Sequence, residues 1–114
     1  MANFVILLVE DDTSLREALA DMLKDEGFEV IECTIGEAGE LVIASTGTEL
    51  QALVTDHNLA GAMSGAALAR YARSRHPHLN IVIISGRIVD PLPVGTAFLR
   101  KPFLPEPLLD LVRE

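Results

Sequence analysis

Phe4-Val5-Ile6-Leu7-Leu8-Val9-Glu10-Asp11-Asp12 passes through six apolar residues and stops in three acids. Similar short apolar runs with a polar or charged close recur along the chain. Ala52-Leu53-Val54-Thr55 ends at Asp56, Ile81-Val82-Ile83-Ile84 at Ser85-Gly86, and Ala97-Phe98-Leu99-Arg100 at Lys101-Pro102. The run at 81–84 is β-branched throughout, as expected for a strand buried on both faces. Between the runs, apolar residues fall at helical spacing. Strands alternating with helices predict an α/β domain of parallel strands joined by right-handed crossovers.

Strand one is predicted over Asn3-Val9 and helix one after it, with Leu15, Ala18, Leu19, Met22 and Leu23 on its apolar face. Ser14 and Glu17 offer a capping box, and Gly27 a C-terminal stop. Strand two is Glu29-Cys33, and Gly36-Ser45, which carries Ala38, Leu41, Val42 and Ile43, is a helix weakened by Gly36 and Gly39. A further helix spans Gly65-Arg75, with Leu68, Tyr71 and Ala72 inward and Arg70, Arg73 and Arg75 outward. The last helix begins after Pro105 and Pro107. Between strands four and five, residues 87–95 hold two prolines and a glycine. Proline in a helix interior costs about 3 kcal/mol, so no ordinary crossover helix is expected there.

At 114 residues the chain is long enough for one hydrophobic core and is expected to form a single domain over 1–114. Its 49% apolar content excludes disorder. The formal charge of −8 disfavours direct binding to nucleic acid. No apolar run approaches the roughly 20 residues of a membrane span, and Met1-Ala2-Asn3 lacks the basic region of a secretory signal, so a cytoplasmic protein without membrane attachment is expected. Cys33 is the one cysteine and reads as a small core residue. His57, His76 and His78 are not spaced as a metal cluster.

In an open parallel sheet, functional groups gather at the carboxyl ends of the strands. Glu10, Asp11, Asp56 and Lys101 would then meet at one edge. Carboxylates a few ångströms apart repel and tend to take up protons unless positive charge joins them. A divalent cation together with a lysine answers that cost, and the set is suited to accepting a phosphoryl group.

These residues resemble the receiver domains of two-component response regulators over essentially the whole chain. Val9-Glu10-Asp11-Asp12 is similar to the family's acidic motif and Thr55-Asp56-His57-Asn58-Leu59 to its phospho-acceptor motif. Ile84-Ser85-Gly86 matches the switch hydroxyl, and Phe98-Leu99-Arg100-Lys101-Pro102-Phe103 the aromatic and Lys-Pro motif. The resemblance implies a flavodoxin-like three-layer sandwich: a five-stranded parallel sheet of order 2-1-3-4-5 with helices on both faces. The fourth of the family's five helices would here be short or absent. It implies that Asp56 takes a phosphoryl group from a histidine kinase or histidine phosphotransfer protein, forming an aspartyl phosphate. Asp11 and Asp56 would bind Mg²⁺ with the backbone carbonyl of Asn58, and Glu10 would act mainly through water. Lys101 and Ser85 would assist transfer, Ser85 and Phe98 would form the switch, and a cis Lys101-Pro102 bond would aim the lysine. Asp12 falls outside the motif as a helix-start residue.

The chain departs from the family in segment 87–95, in Phe98 where tyrosine is common, and in Ala60 where proline is common. The expected function is a stand-alone phospho-acceptor that phosphorylates itself from its donor, with slow autodephosphorylation at most, rather than an enzyme acting on a separate substrate. A pseudo-receiver serving only as a docking module is the alternative. A flavodoxin-like ligand-binding enzyme would need a glycine-rich phosphate loop after strand one, where this chain places acids.

Overall fold

The computed structural model describes residues 4–46 and 49–114. The chain folds in the order β1 (Val5–Val9), α1 (Thr13–Asp25), β2 (Glu29–Cys33), α2 (Gly36–Thr46), β3 (Leu50–Asp56), α3 (Gly65–Arg75), β4 (Asn80–Ser85), β5 (Ala97–Arg100) and α4 (Pro105–Arg113). All pairings are parallel, and the sheet order is β2-β1-β3-β4-β5. Asn3, assigned above to strand one, lies outside the described residues.

Alternate side chains of the central strands feed two cores, one on each face. Ile6, Leu8, Ala52, Val54, Val82 and Ile84 pack against Leu19 and Leu23 of α1 and Leu108 and Val112 of α4. Leu7, Val9, Leu53, Ile81 and Ile83 pack against Ile43 of α2 and Leu68, Ala69 and Ala72 of α3. Burial on both faces explains why these strands are apolar throughout rather than alternating. Each fully buried Leu or Ile adds about 1.5–3 kcal/mol over leaving it in water.

Several local expectations are corrected. Asp12, not Ser14, caps α1, its Oδ1 accepting from the Leu15 N–H at 3.1 Å. At the other end, Gly27 N–H donates to Lys24 O and Phe28 N–H to Leu23 O, the two bonds of a Schellman motif. Ala18 is exposed, and Ala20 takes its place in the core. On α2, Leu41 is exposed while Ile43 is buried. Gly39 does not break α2: a Cβ there would come within 3.1 Å of both Leu68 and Val9, so the glycine lets the helix lie close to its neighbours. Arg73 is half-buried rather than solvated, and donates to Pro77 O and Gly95 O, both at 2.7 Å. Helix α4 begins at Pro105 rather than after it, because first-turn N–H groups have no intrahelical partner to lose.

Residues 86–96 form no helix. The segment crosses from β4 to β5 in bends, with Val89 and Pro93 buried and Arg73 fastening its end through Gly95. Val89 joins the core on the α3 side, filling ground that a helix would otherwise cover. Among the described residues, no helix is long and apolar enough to cross a membrane.

Candidate functional site

Strand register brings the acids together. Val9 pairs with Thr55, so Glu10, the next residue after β1, stands level with Asp56, the last residue of β3. Glu10, Asp11 and Asp56 can each offer a carboxylate oxygen, and these lie within 4.8 Å of one another. Glu10 is fully buried, Asp56 nearly so, and Asp11 exposed. The cluster therefore has a closed floor and an open mouth.

Lys101 supplies the positive charge. Its Nζ lies 3.0 Å from Glu10 Oε1 and 3.2 Å from Asp56 Oδ1. Its backbone N–H donates to Ser85 O at 2.8 Å, which ties the start of the β5–α4 loop to the end of β4. The Lys101-Pro102 peptide is cis. Burial pulls the Lys101 pKa down, but the hydrogen bond to Glu10 and the charges of Asp56 and Glu10 outweigh it, holding the ammonium above its ordinary value. For Glu10 burial is the largest influence and pushes the carboxyl up. The Asp12 N–H and Lys101 oppose this, and the Asp56 charge and Asp11 side chain add to it.

Asp56 is held by one oxygen. Oδ1 accepts from the His57 N–H at 3.0 Å and receives Lys101, while Oδ2 makes no hydrogen bond among the described residues. A carboxylate fixed by one oxygen and free at the other can serve as a nucleophile. Ser85 is buried, and its Oγ accepts from the Arg87 N–H at 3.1 Å. Phe98 pairs in register with Ile83, two residues before Ser85, and is half-buried. Asn58 lies exposed two residues beyond Asp56 in the following loop.

The donor set fits a hard, oxygen-loving cation. Glu10 is already engaged by Lys101 and by the Asp12 N–H at 3.1 Å, which leaves Asp11 and the unbonded Oδ2 of Asp56 to ligate a small divalent ion. Among the described residues no histidine side chain joins the acidic cluster; His76 caps the end of α3 and lies 3.5 Å from Ile43 O through Nε2.

Three supporting residues escaped the sequence. Arg16 donates from Nη1 to Glu10 O at 3.2 Å and from Nε to Glu32 Oε1 at 3.2 Å, bracing the acidic turn. Glu37 accepts from the Ala62 N–H at 3.1 Å, pinning the loop after Asp56 to α2. Gly65 is required by contact: a Cβ there would run into the Asp56 carbonyl oxygen and lie 2.8 Å from His57 Cα. Only Gly65 left a trace in the sequence, as a glycine opening a helix. Cys33 is buried, and burial pushes its thiol pKa up, in keeping with a core residue.

The sequence model of the response regulator receiver domain matches residues 6–113. The response regulator protein FleR of Pseudomonas aeruginosa is 39% identical over an alignment of 113 residues that covers 94% of this chain and 23% of FleR, so the chain spans under a quarter of that relative. A response regulator receiver protein from Sinorhizobium medicae superposes with a TM-score of 0.88 at 28% identity, covering 97% of this chain and 92% of that one. The receiver domain of a Pseudomonas aeruginosa sensor histidine kinase, with a magnesium ion coordinated in its active site cleft, shares the fold at a TM-score of 0.84. Its identity is 20%, with 98% of this chain and 96% of that one covered.

Proposed function

This chain belongs to the response regulator receiver domain family, and from that membership we propose that Asp56 accepts a phosphoryl group from the phosphohistidine of a histidine kinase or histidine phosphotransfer protein. The observation that carries this reading is the meeting of Glu10, Asp11 and Asp56 within 4.8 Å, with Lys101 Nζ 3.0 and 3.2 Å from two of them. A docking module without acceptor chemistry has no need of that costly arrangement.

In the proposed step the free Oδ2 of Asp56 bonds to phosphorus as the donor's P–N bond breaks, and the imidazole leaves with the bond's electron pair. Lys101, already against Asp56 Oδ1, is placed to meet the negative charge brought by the phosphoryl oxygens. The Ser85 hydroxyl is the neutral donor proposed to bond the phosphoryl group once it is in place. Mg²⁺ held by Asp11 and Asp56, with the Asn58 backbone carbonyl, would neutralise charge on the phosphoryl oxygens when bound. Arg16, Glu37 and Gly65 act indirectly, by fixing the loops that carry these groups.

The test is incubation with Mg²⁺ and a small acyl-phosphate donor, followed by intact mass. A single phosphoryl adduct that is absent in Asp56→Asn and absent without divalent metal supports the assignment. Labelling that persists in Asp56→Asn means the acceptor lies elsewhere.

A further inference from the structure

The charge of this chain is divided along its length. Residues 1–56 hold two basic and thirteen acidic residues, a formal −11, whereas residues 57–114 hold seven basic and four acidic ones, a formal +3, which together make the −8 of the whole. No acid occurs between Asp56 and Asp90, while Arg70, Arg73, Arg75 and Arg87 do. An otherwise acidic chain thus carries a basic sector in sequence, residues 57–89.

That sector borders the segment that stands in place of a crossover helix. A groove of about 450 Å³ runs between α3 and residues 91–94, with Arg70 and Arg73 on one wall and Pro91, Leu92 and Val94 on the other. Arg73 is spent internally on Pro77 O and Gly95 O. Arg70 is exposed and, among the described residues, has no ion pair. Across the groove from it stand apolar side chains in water: Val94 is 90% exposed and Leu92 36%. Isolated exposed apolar residues are ordinary, but two on one short segment facing a free guanidinium mark an interaction surface.

We propose that the groove between α3 and residues 91–94 docks an acidic, aliphatic-rich segment of a partner protein, its carboxylate on Arg70 and its apolar side chains against Leu92 and Val94. Two considerations select that occupant. The unpaired Arg70 faces an apolar wall of Leu92 and Val94, so a segment carrying a carboxylate beside aliphatic side chains complements both. A nucleic acid would need several free cations in a row, and here the wall facing Arg70 is apolar. A second copy of the chain would have to present its acidic sector to this basic one, a head-to-tail contact that closes into a ring or extends into open assemblies rather than a two-fold dimer. Asp90, which precedes the groove residue Pro91, is exposed. The proposal does not depend on phosphorylation of Asp56, so it stands or falls separately from the acceptor assignment.

The experiment is an NMR titration of the isotopically labelled protein with a blocked peptide of about twelve residues built on a Glu-Glu-Leu-Leu repeat, beside its Lys-for-Glu counterpart. The expected result is shifts confined to amides of residues 70–74 and 88–95 with the acidic peptide and none with the basic one. Arg70→Glu should weaken binding about tenfold, a change near 1.4 kcal/mol, and Val94→Ser should weaken it about threefold. Both sites are at the surface, and unchanged spectra elsewhere verify the fold. Shifts spread over the molecule, equal responses to both peptides, or an Arg70→Glu variant that binds as well as wild type would overturn the proposal. So would self-association that rises with protein concentration and is lost in Arg70→Glu, since a second copy would then be the occupant.

Discussion

Replacing Lys101 by Met keeps the aliphatic stem and removes the cation that, among the described residues, reaches both Glu10 and Asp56. Breaking a buried ion pair on one side costs about 3–5 kcal/mol if the stranded charge remains. Glu10 has another route, because it can take up a proton. From its ordinary value of 4.5, protonation at pH 7 spans about 2.5 pH units at about 1.4 kcal/mol each, which caps the loss near 3.4 kcal/mol. Burial already raises the Glu10 carboxyl in the wild type, so part of that cost is present before the substitution. The net loss at pH 7 should therefore be about 1–3 kcal/mol, or about 4–12 °C in Tm for a domain of this size.

The sign with pH follows from linkage. A carboxyl whose folded pKa lies above its unfolded value binds more protons in the folded state. Its contribution is favourable below the unfolded value and is lost as pH rises toward the folded one. Lys101, raised in the wild type, opposes this throughout the neutral range and would cease to do so only above its ordinary 10.5. The Tm deficit of Lys101→Met should then be small at pH 5 and grow steadily to pH 8. Melting curves by circular dichroism across that range, with chelator present, measure it. A deficit that is constant with pH, or no deficit at all, would refute the view that Lys101 offsets charge on buried Glu10.

Three further outcomes are expected. Mg²⁺ at ten times its dissociation constant should stabilise the wild type by about 1.4 kcal/mol; Asp11→Ala should abolish most of that while Asp12→Ala keeps it, and equal effects, seen by thermal shift, would place the acidic motif one residue out of register. Gly65→Ala should cost about 2–3 kcal/mol in urea unfolding, because the atoms a Cβ would strike are backbone of Asp56 and His57; near-neutral behaviour would show that the loop can give way. A beryllofluoride phosphoryl mimic should shift amides around Phe98 in the wild type and not in Ser85→Ala, and identical responses would disprove coupling between Ser85 and the ring.

The sheet and the acidic edge were legible because they rest on strong local signals. Runs such as Val5–Val9 and Ile81–Ile84 admit few other readings, and a charged residue closing such a run marks the sheet's carboxyl edge. Finer features were hidden because tertiary contacts decided them. Asp12 competes with Ser14 for the cap, and the winner is set by where the backbone leaves β1. Leu41 keeps helical spacing yet lies exposed, since α2 turns Ile43 inward instead. Arg73 has the composition of a surface residue, and only the path of residues 91–96 gives it two carbonyls to bond. Arg16 and Glu37 act across 6 and 25 positions respectively, and no periodic pattern announces such a contact.

The missing crossover helix has a further consequence for how the molecule is divided. Among the described residues, the groups around Asp56 sit at or just after the ends of β1, β3, β4 and β5, and are held, with one exception, by bonds that do not involve residues 87–95. That exception is the Arg87 N–H, which donates to Ser85 Oγ. A phosphoryl group on Asp56 would bring about −1.5 to −2 charges and strong acceptor oxygens. If Ser85 turned its hydroxyl toward them, it would give up the bond from Arg87, the first residue of the segment. The segment has no helical hydrogen bonds of its own to resist such a change, and beyond Arg87 it is held chiefly by Val89, Pro93 and the Arg73 strap at Gly95. Release at Arg87 would therefore be absorbed near Ile88 rather than transmitted as the rigid shift of a helix. Ser85→Ala should mimic that release without phosphorylation, so its amide exchange at residues 87–89 should rise several-fold over wild type while residues 93–96 stay protected. Equal exchange in both proteins at 87–89 would mean that the Ser85–Arg87 bond does not hold the segment.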